Sequence, residues 1–146
     1  MHTVAQILKT KPVQTVYSIA PTATVFDALK QLADKRVGAL LVMDGEQIVG
    51  IVTERDYARK VDLMGRSSHN TMVSEIMTST VMYVRPDNGN EQCMALMTEN
   101  RLRHLPVISG GKLVGLLSIG DLVKDIISEQ QFIIEQLEHY IQGERA

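Results

Sequence analysis

The stretch Ile48-Val-Gly-Ile-Val-Thr-Glu-Arg-Asp56 returns 65 residues later as Leu113-Val-Gly-Leu-Leu-Ser-Ile-Gly-Asp121. Both copies carry an apolar run around a glycine, followed by a hydroxyl residue and by an aspartate three positions later. The same offset, held from residue 15 to residue 60, gives ten identical pairs, among them Arg36/Arg101 and Gly50/Gly115. With four more residues skipped, Val4-Ala-Gln-Ile-Leu8 aligns with Val73-Ser-Glu-Ile-Met77. The chain is therefore a tandem repeat, and a ligand or partner site is expected where the copies meet.

Composition excludes several classes of protein. The chain has 146 residues, a formal charge of -2 and no block of lysine and arginine, so nucleic-acid binding is not expected. No apolar stretch reaches the roughly 20 residues of a membrane span, and the first residues lack the pattern of a secretory signal. The single cysteine, Cys93, lies in an apolar helical pattern and is expected to be buried. We therefore expect a cytoplasmic protein that does not contact membranes.

Hydrophobic periodicity predicts the same order of elements in both copies. The first copy is expected to contain an opening helix over 3–8 capped by Thr3 and Gln6, a strand over 14–19, a helix over 24–35, strands over 37–43 and 47–53 joined at Asp44-Gly45, and a helix over 56–63. A polar linker over 65–70 follows. The second copy is expected to contain a helix from Val73, a strand over 80–84, a helix over 91–100, strands over 105–108 and 112–118, and a helix over 121–142.

The last helix is longer than a core of this size requires. It carries Ile126, Ile133, Leu137 and Ile141 beyond what its own core can cover. We therefore expect the chain to form a homodimer that buries this stripe.

The element order resembles that of a tandem pair of CBS domains, the cystathionine-β-synthase type. Each copy ends on a glycine, two apolar residues, Thr or Ser, two residues and Asp; Ser74-Glu-Ile-Met-Thr78 and Arg103-His-Leu-Pro-Val107 are also typical of the family. The resemblance implies an α+β fold, with two repeats that each form a small, mostly antiparallel sheet with helices on one face, packed as a pseudo-two-fold pair. The corresponding boundaries are 1–64 for the first repeat, 65–71 for the linker, 72–128 for the second repeat and 129–146 for a helical extension.

The resemblance also implies a regulatory function without catalysis. Such modules bind adenosine-containing ligands in clefts between the copies; AMP, ADP and ATP are the leading candidates, and NAD and S-adenosylmethionine are further ones. Because 146 residues leave no room for an effector domain, we expect the module to act in trans on an effector protein. Ligand occupancy would change the packing of the two halves and thus the partner that the surface accepts.

The motifs Thr53-Glu-Arg-Asp56 and Ser118-Ile-Gly-Asp121 permit two interpretations. In the first they are capping boxes, in which the hydroxyl and the acid satisfy free N–H groups at the start of a helix. In the second the helix N-terminus attracts a phosphate, the hydroxyl donates to it, and the carboxylate accepts from two ribose hydroxyls. The duplication favours ligand binding, since capping tolerates Asn or Glu but a diol clamp does not.

The resemblance implies two composite sites. The first is expected to contain Thr53, Asp56, Thr80, Val81, Met82, Arg103 and His104. The second is expected to contain Ser118, Asp121, Gln14, Thr15, Val16, Val37, Gly38 and Ala39. Arg55 could add charge to the first site or simply be solvated. Because the first site has Arg103 and His104 where the second has Gly38 and Ala39, phosphorylated ligands are predicted to prefer the first site.

Two other functions remain open. The chain could be a structural or protein-interaction module that kept the fold and lost the ligand, although both aspartates are intact. It could also be an enzyme with an unrecognised site, but no pairing of a nucleophile with a base and no metal-ligand spacing appears in the sequence. His104 could be an ordinary residue at a strand end. We therefore predict a protein that is neither an enzyme nor a metalloprotein.

Overall fold

The computed structural model describes residues 2–12 and 15–141, which form two compact units. The first, here called the Thr53 unit, comprises Thr15–Met82. The second, the Ser118 unit, comprises the described residues before Thr15 together with those from Tyr83 onward. Both units combine a small sheet with helices. The predicted α+β class with two small sheets is confirmed.

The Thr53 unit contains a three-stranded sheet in the order β1, β2, β3. Strand β1, Ser18–Ile19, runs parallel to β2, Ala39–Asp44, and β2 is antiparallel to β3, Gln47–Thr53. The helical segments of the unit are α2 at Val25–Lys35, α3 at Glu54–Tyr57, a π-helix at Ala58–Asp62, a 3-10 turn at Ser68–Asn70 and α4 at Val73–Ile76. Apolar side chains of α2 and of the central strands share the core of this unit.

The Ser118 unit contains a two-stranded antiparallel hairpin. Its elements are α1 at Val4–Thr10, α5 at Asn90–Asn100, β4 at His104–Ser109, β5 at Lys112–Ser118 and α6 at Ile119–Ile141. Helix α1 begins with the predicted capping box, in which the Gln6 backbone N–H donates to Thr3 Oγ1 at 3.4 Å and the Thr3 N–H donates to Gln6 Oε1 at 2.9 Å. The Val4 N–H donates to the Asn88 carbonyl at 2.8 Å, which ties α1 to the loop before α5.

Each packing unit takes its opening helix from the other sequence repeat. Glycines at matching repeat positions, Gly50 and Gly115, are where these helices approach. A Cβ at Gly50 would lie 2.6 Å from Met77 Sδ, and a Cβ at Gly115 would lie 2.9 Å from Leu8 Cδ1. Leu8 and Met77 are themselves equivalent in the repeat alignment. The packing units therefore differ from the stretches that sequence similarity delimits.

Two predicted strands are shorter or absent. The strand expected over 14–19 is reduced to β1, because only Ser18 and Ile19 pair with β2; Gln14 lies outside the described residues. The strand expected over 80–84 does not form. Val84 alone makes a bridge, to Val107, and no residue of the described segment 79–83 belongs to a strand or a bridge. Alternating apolar residues alone were insufficient to predict a strand here, since a β-ladder also needs a partner strand with which the backbone can form hydrogen bonds.

The two helices that follow the repeated motifs also differ from expectation. The helix predicted over 56–63 begins at Glu54 and becomes a π-helix at Ala58, where the Leu63 N–H reaches the carbonyl of Ala58 at 3.0 Å. The final helix begins at Ile119 rather than at Asp121 and is described to Ile141, with Gln142 outside the described residues.

Helix α6 extends beyond the core as the sequence predicts. Its 23 residues correspond to about 35 Å. The side chains from residue 131 to 141 are exposed, including Phe132, Ile133, Ile134, Leu137 and Tyr140. Within the described part of the chain, no helix has both the length and the hydropathy that a membrane crossing requires.

Candidate functional site

The first repeated motif lies where β3 passes into α3. The Thr53 backbone N–H donates to Asp56 Oδ2 at 3.0 Å, and the Asp56 N–H donates to Thr53 Oγ1 at 3.2 Å. The Thr53 hydroxyl also donates to Asp56 Oδ2, at 3.1 Å. The other carboxylate oxygen, Oδ1, lies 3.4 Å from Lys60 Nζ, and this ammonium donates to the Ile76 carbonyl at 2.8 Å. The capping box is therefore formed, and both carboxylate oxygens are engaged.

The second repeated motif lies where β5 passes into α6. The Ser118 N–H donates to Asp121 Oδ2 at 2.8 Å, and the Asp121 N–H donates to Ser118 Oγ at 3.2 Å. Lys11 Nζ lies 3.0 Å from the same Oδ2 and donates to the Leu116 carbonyl at 2.7 Å. Among the contacts of the described residues, none involves Asp121 Oδ1. Within the described residues one oxygen of this carboxylate is therefore not engaged, although its side chain is only 14% exposed.

The hairpin registers determine which residues lie beside each motif. In the Ser118 unit His104 pairs with Ser118, and the Ile119 N–H donates to the Arg103 carbonyl at 2.9 Å. In the Thr53 unit Ala39 pairs with Thr53, and the Glu54 N–H donates to the Gly38 carbonyl at 3.3 Å. The structure therefore places Arg103 and His104 beside Ser118, and Gly38 and Ala39 beside Thr53. The sharing of residues across the two copies, on which the composite sites depend, stays a prediction.

The environment of His104 favours its neutral form. Burial lowers the pKa of the imidazole, the nearby Asp121 carboxylate raises it, and the charges of Lys11 and Arg103 lower it further. The net effect is a pKa below the usual value, so the ring is uncharged at neutral pH. Lys11 and Arg103 then contribute permanent positive charge near this motif.

The remaining predicted site residues differ in accessibility. Thr15, Arg55 and Thr80 are exposed. Val16, Val37, Val81 and Met82 are partly buried. Ala39 is buried, and Gln14 lies outside the described residues.

Sequence reasoning missed both lysines. Lys60 lies four residues after Asp56, a helical spacing that could have identified it. Lys11 is 110 positions from Asp121, and no periodic signal connects residues so far apart. The proximity of His104 to Ser118 could have been found by counting outward from the turn at Ser109-Gly110-Gly111.

A second polar cluster lies near the start of α6. Asn90 is buried and donates from Nδ2 to Asp125 Oδ2 at 2.9 Å and to the Leu122 carbonyl at 3.0 Å. The ring and the backbone N–H of His2 both bond the Asp125 carboxylate. This cluster joins the N-terminal segment to α6. Within residues 2–12 and 15–141, no three His, Cys, Asp or Glu side chains are grouped as metal ligands.

Known proteins match this chain over most of its length. CBSX3, a mitochondrial CBS domain-containing protein of Arabidopsis thaliana, is 45% identical over 125 residues, which cover 82% of this chain. The chain spans 61% of the length of CBSX3 and 21% of that of a second Arabidopsis relative, CBSCBSPB2.

Solved structures agree in fold. A CBS-domain protein from Burkholderia ambifaria MC40-6, provisionally assigned to signal transduction, has a TM-score of 0.86 and 60% identity and covers 88% of this chain and 96% of its own. A hexameric CBS-CP12 protein from bloom-forming cyanobacteria has a TM-score of 0.75 and 34% identity and covers 84% of this chain and 70% of its own. The family model for the CBS domain matches residues 4–62 and 73–128. With these two segments matched in tandem, the chain belongs to the CBS-domain family.

Proposed function

We propose that this CBS pair is a regulatory module in signal transduction that binds an adenosine-containing ligand and acts in trans on a partner protein. AMP, ADP or ATP are the favoured ligands, and NAD and S-adenosylmethionine are further candidates. The main supporting observation is the duplicated strand-to-helix junction, at which Thr53 or Ser118 is followed three residues later by an aspartate with a lysine beside it. The signal-transduction assignment of the Burkholderia relative is consistent with this function.

The chemistry of the junctions supports a nucleoside ligand. A ribose diol needs an acceptor with free lone pairs, and Asp121 Oδ1 offers one in the described structure, whereas Asp56 Oδ1 contacts Lys60. Ligand binding at Asp56 would therefore require Lys60 to move or to share the carboxylate. We therefore expect the ribose diol to bind more tightly at Asp121 than at Asp56.

The residues that would donate to the phosphate, Arg103 and His104, can be assigned to either of the two proposed ligand sites. The sequence-based grouping assigns Arg103 and His104 to the ligand of Asp56. Their position beside Ser118 supports the other grouping, in which Arg103 acts on the phosphate of a ligand held by Asp121. A double-mutant cycle of Arg103→Ala with Asp121→Asn, and separately with Asp56→Asn, separates them: AMP-binding free energies couple only within the correct pair.

We further propose that the chain self-associates through the exposed apolar side chains of α6. Phe132, Ile134 and Leu137 are all more than half exposed in the single chain. The cyanobacterial CBS-CP12 relative is hexameric, which supports association in general, while the homodimer remains the proposed state. Light scattering should give a mass above the monomer at micromolar concentration, and deletion of residues 132–146 should restore the monomer. A monomeric full chain would contradict this proposal.

A thermal-shift panel tests the ligand proposal. AMP, ADP, ATP, NAD and S-adenosylmethionine are added at millimolar concentration, and nucleotide released from the denatured pure protein is identified by mass spectrometry. Ligand at about 100 times its Kd should add about 2.7 kcal/mol per site and raise Tm by several degrees. Unmoved melting curves together with no released nucleotide would refute adenosine binding.

The same result would favour the second candidate, a ligand-free interaction module. That candidate is supported by the capping boxes at Thr53 and Ser118, which are complete without a ligand. A non-catalytic role and a cytoplasmic location also remain predictions. A turnover assay on any nucleotide that binds tests the first of these.

A further inference from the structure

The cation beside the repeated aspartate has a different origin in each unit. In the Thr53 unit it is Lys60, four residues after Asp56. The repeat position equivalent to Lys60 is Asp125, which cannot neutralise Asp121. Lys11, at the end of α1, supplies the charge instead. The ion pair is therefore long-range at the Ser118 motif and local at the Thr53 motif.

Lys11 is held in place by its surroundings. Its ammonium donates to the Leu116 carbonyl, its backbone N–H caps α1 by donating to the Leu8 carbonyl at 3.3 Å, and its side chain is 24% exposed. The other end of the segment is fixed by the bonds of His2 to Asp125. An ammonium has three donors, and two of those of Lys11 are used in the described structure.

We propose that Lys11 is a specificity-determining residue at the Ser118 motif. Lys11 makes the site prefer phosphorylated over unphosphorylated adenosine ligands, and it links their binding to the N-terminal segment. This inference rests on the proposed function. A carboxylate beside a phosphate repels it, and Lys11 offsets that repulsion while its third N–H can donate to a phosphate oxygen. Since Lys11 ends α1, a ligand that engages it also restrains α1.

Calorimetry with AMP and adenosine on the full chain tests the selectivity. Lys11→Gln should weaken AMP about tenfold or more and change adenosine binding less than about twofold, since only AMP presents the anion. Lys11→Arg should retain most of the AMP affinity. Lys9→Gln is the matched control, because Lys9 lies on the same helix, is exposed and makes no ion pair with another described residue. Melting curves without ligand verify that each variant is folded.

Hydrogen exchange supplies the second measurement. AMP should slow exchange of the α1 amides in the wild type and in Lys9→Gln, but not in Lys11→Gln. Equal losses of AMP and adenosine affinity in Lys11→Gln would show a structural role only, and unchanged AMP affinity would place Lys11 outside the site; either result overturns the inference while ligand binding stands. If the wild type binds neither ligand, the proposed function fails and the inference fails with it.

Discussion

In the Thr53 unit the charge that faces the repeated aspartate comes from the same stretch of helix, whereas in the Ser118 unit it comes from the far end of the sequence. Asp56 and Lys60 lie four residues apart on one continuous helical segment, so their ion pair needs no distant part of the chain. Asp121 and Lys11 meet only when α1 has docked. The positive charge beside the repeated aspartate is therefore local in the Thr53 unit and depends on the docking of α1 in the Ser118 unit.

The second difference lies one turn further along the helix. Lys60 is half-exposed, so its ion pair with Asp56 is accessible to solvent. Asp125, at the equivalent repeat position, is buried and forms hydrogen bonds with His2 and Asn90. The two equivalent positions thus carry opposite charges: Lys60 makes a solvent-accessible ion pair, and Asp125 makes a buried contact with the N-terminal segment, here called the buried anchor. The N-terminal segment is attached to α6 at both of its ends.

The close approaches at the matching glycines give the largest expected effects on stability. An added Cβ at Gly50 would meet the backbone oxygen of Thr78 at 3.0 Å as well as Met77, whereas at Gly115 its nearest neighbours would be side-chain atoms of Leu8. Gly50→Ala should lower the free energy of unfolding by about 3 kcal/mol and Gly115→Ala by about 1 kcal/mol. Urea denaturation of the two variants measures this. Equal losses would show that the two units pack their opening helices equally tightly.

The buried anchor should depend on pH. Burial alone would raise the pKa of the Asp125 carboxyl, but hydrogen bonds from the His2 ring and backbone and from Asn90, together with the charge of His2, hold it below the ordinary value. Its contribution to stability is therefore present above the unfolded carboxyl pKa of about 4, and is lost as pH falls through the lower folded value.

Asp125→Asn should accordingly lower the free energy of unfolding by about 2 kcal/mol at pH 7, and the difference from wild type should shrink at strongly acidic pH. Lys60→Gln, at the equivalent position, should cost less than about 1 kcal/mol because its ion pair is half-exposed. Unfolding followed across pH compares the two. A pH-independent difference for Asp125→Asn would contradict the hydrogen-bonded carboxylate.

The smallest expected effect should be the same in both units. Arg36 and Arg101 end α2 and α5 in the left-handed conformation, each with φ of 54°. Glycine adopts this conformation without a Cβ penalty, so Arg36→Gly and Arg101→Gly should each stabilise the protein by about 0.5 to 1 kcal/mol. Thermal unfolding measures the gain. A gain at only one position would show that the other arginine makes a compensating contact.

The sequence predicted the contacts between residues that are close together in the chain. The Asp44-Gly45 turn fixed one hairpin, and the three-residue spacing of Thr3 to Gln6 and of Thr53 to Asp56 predicted capping contacts that the structure contains. Burial of Cys93 also followed from its helical surroundings. Such contacts require only that one element forms.

Long-range contacts could not be predicted in the same way. Leu8 packs at Gly115 and Lys11 bonds Asp121 because α1 docks on a unit whose other residues come from much later in the chain. No period or spacing in one sequence carries that information. The strand expected over 80–84 was wrong, and only Val84 makes a bridge. Apolar alternation does not reveal whether a partner strand will pair with the segment.

The most direct test is calorimetric titration of AMP and adenosine into Asp121→Asn, with Asp56→Asn as the matched variant in the other unit. Asparagine keeps an oxygen that can accept from the Ser118 N–H, but it removes the acceptor proposed for the ribose diol and the charge that pairs with Lys11. Tm without ligand is therefore measured for each variant and should fall slightly. Our account predicts that Asp121→Asn weakens both ligands at the higher-affinity site about tenfold, because the loss is at the ribose that both share, and that Asp56→Asn leaves this site intact. Wild-type affinity for both ligands in Asp121→Asn would contradict the account, because the repeated aspartate would then be a helix cap alone.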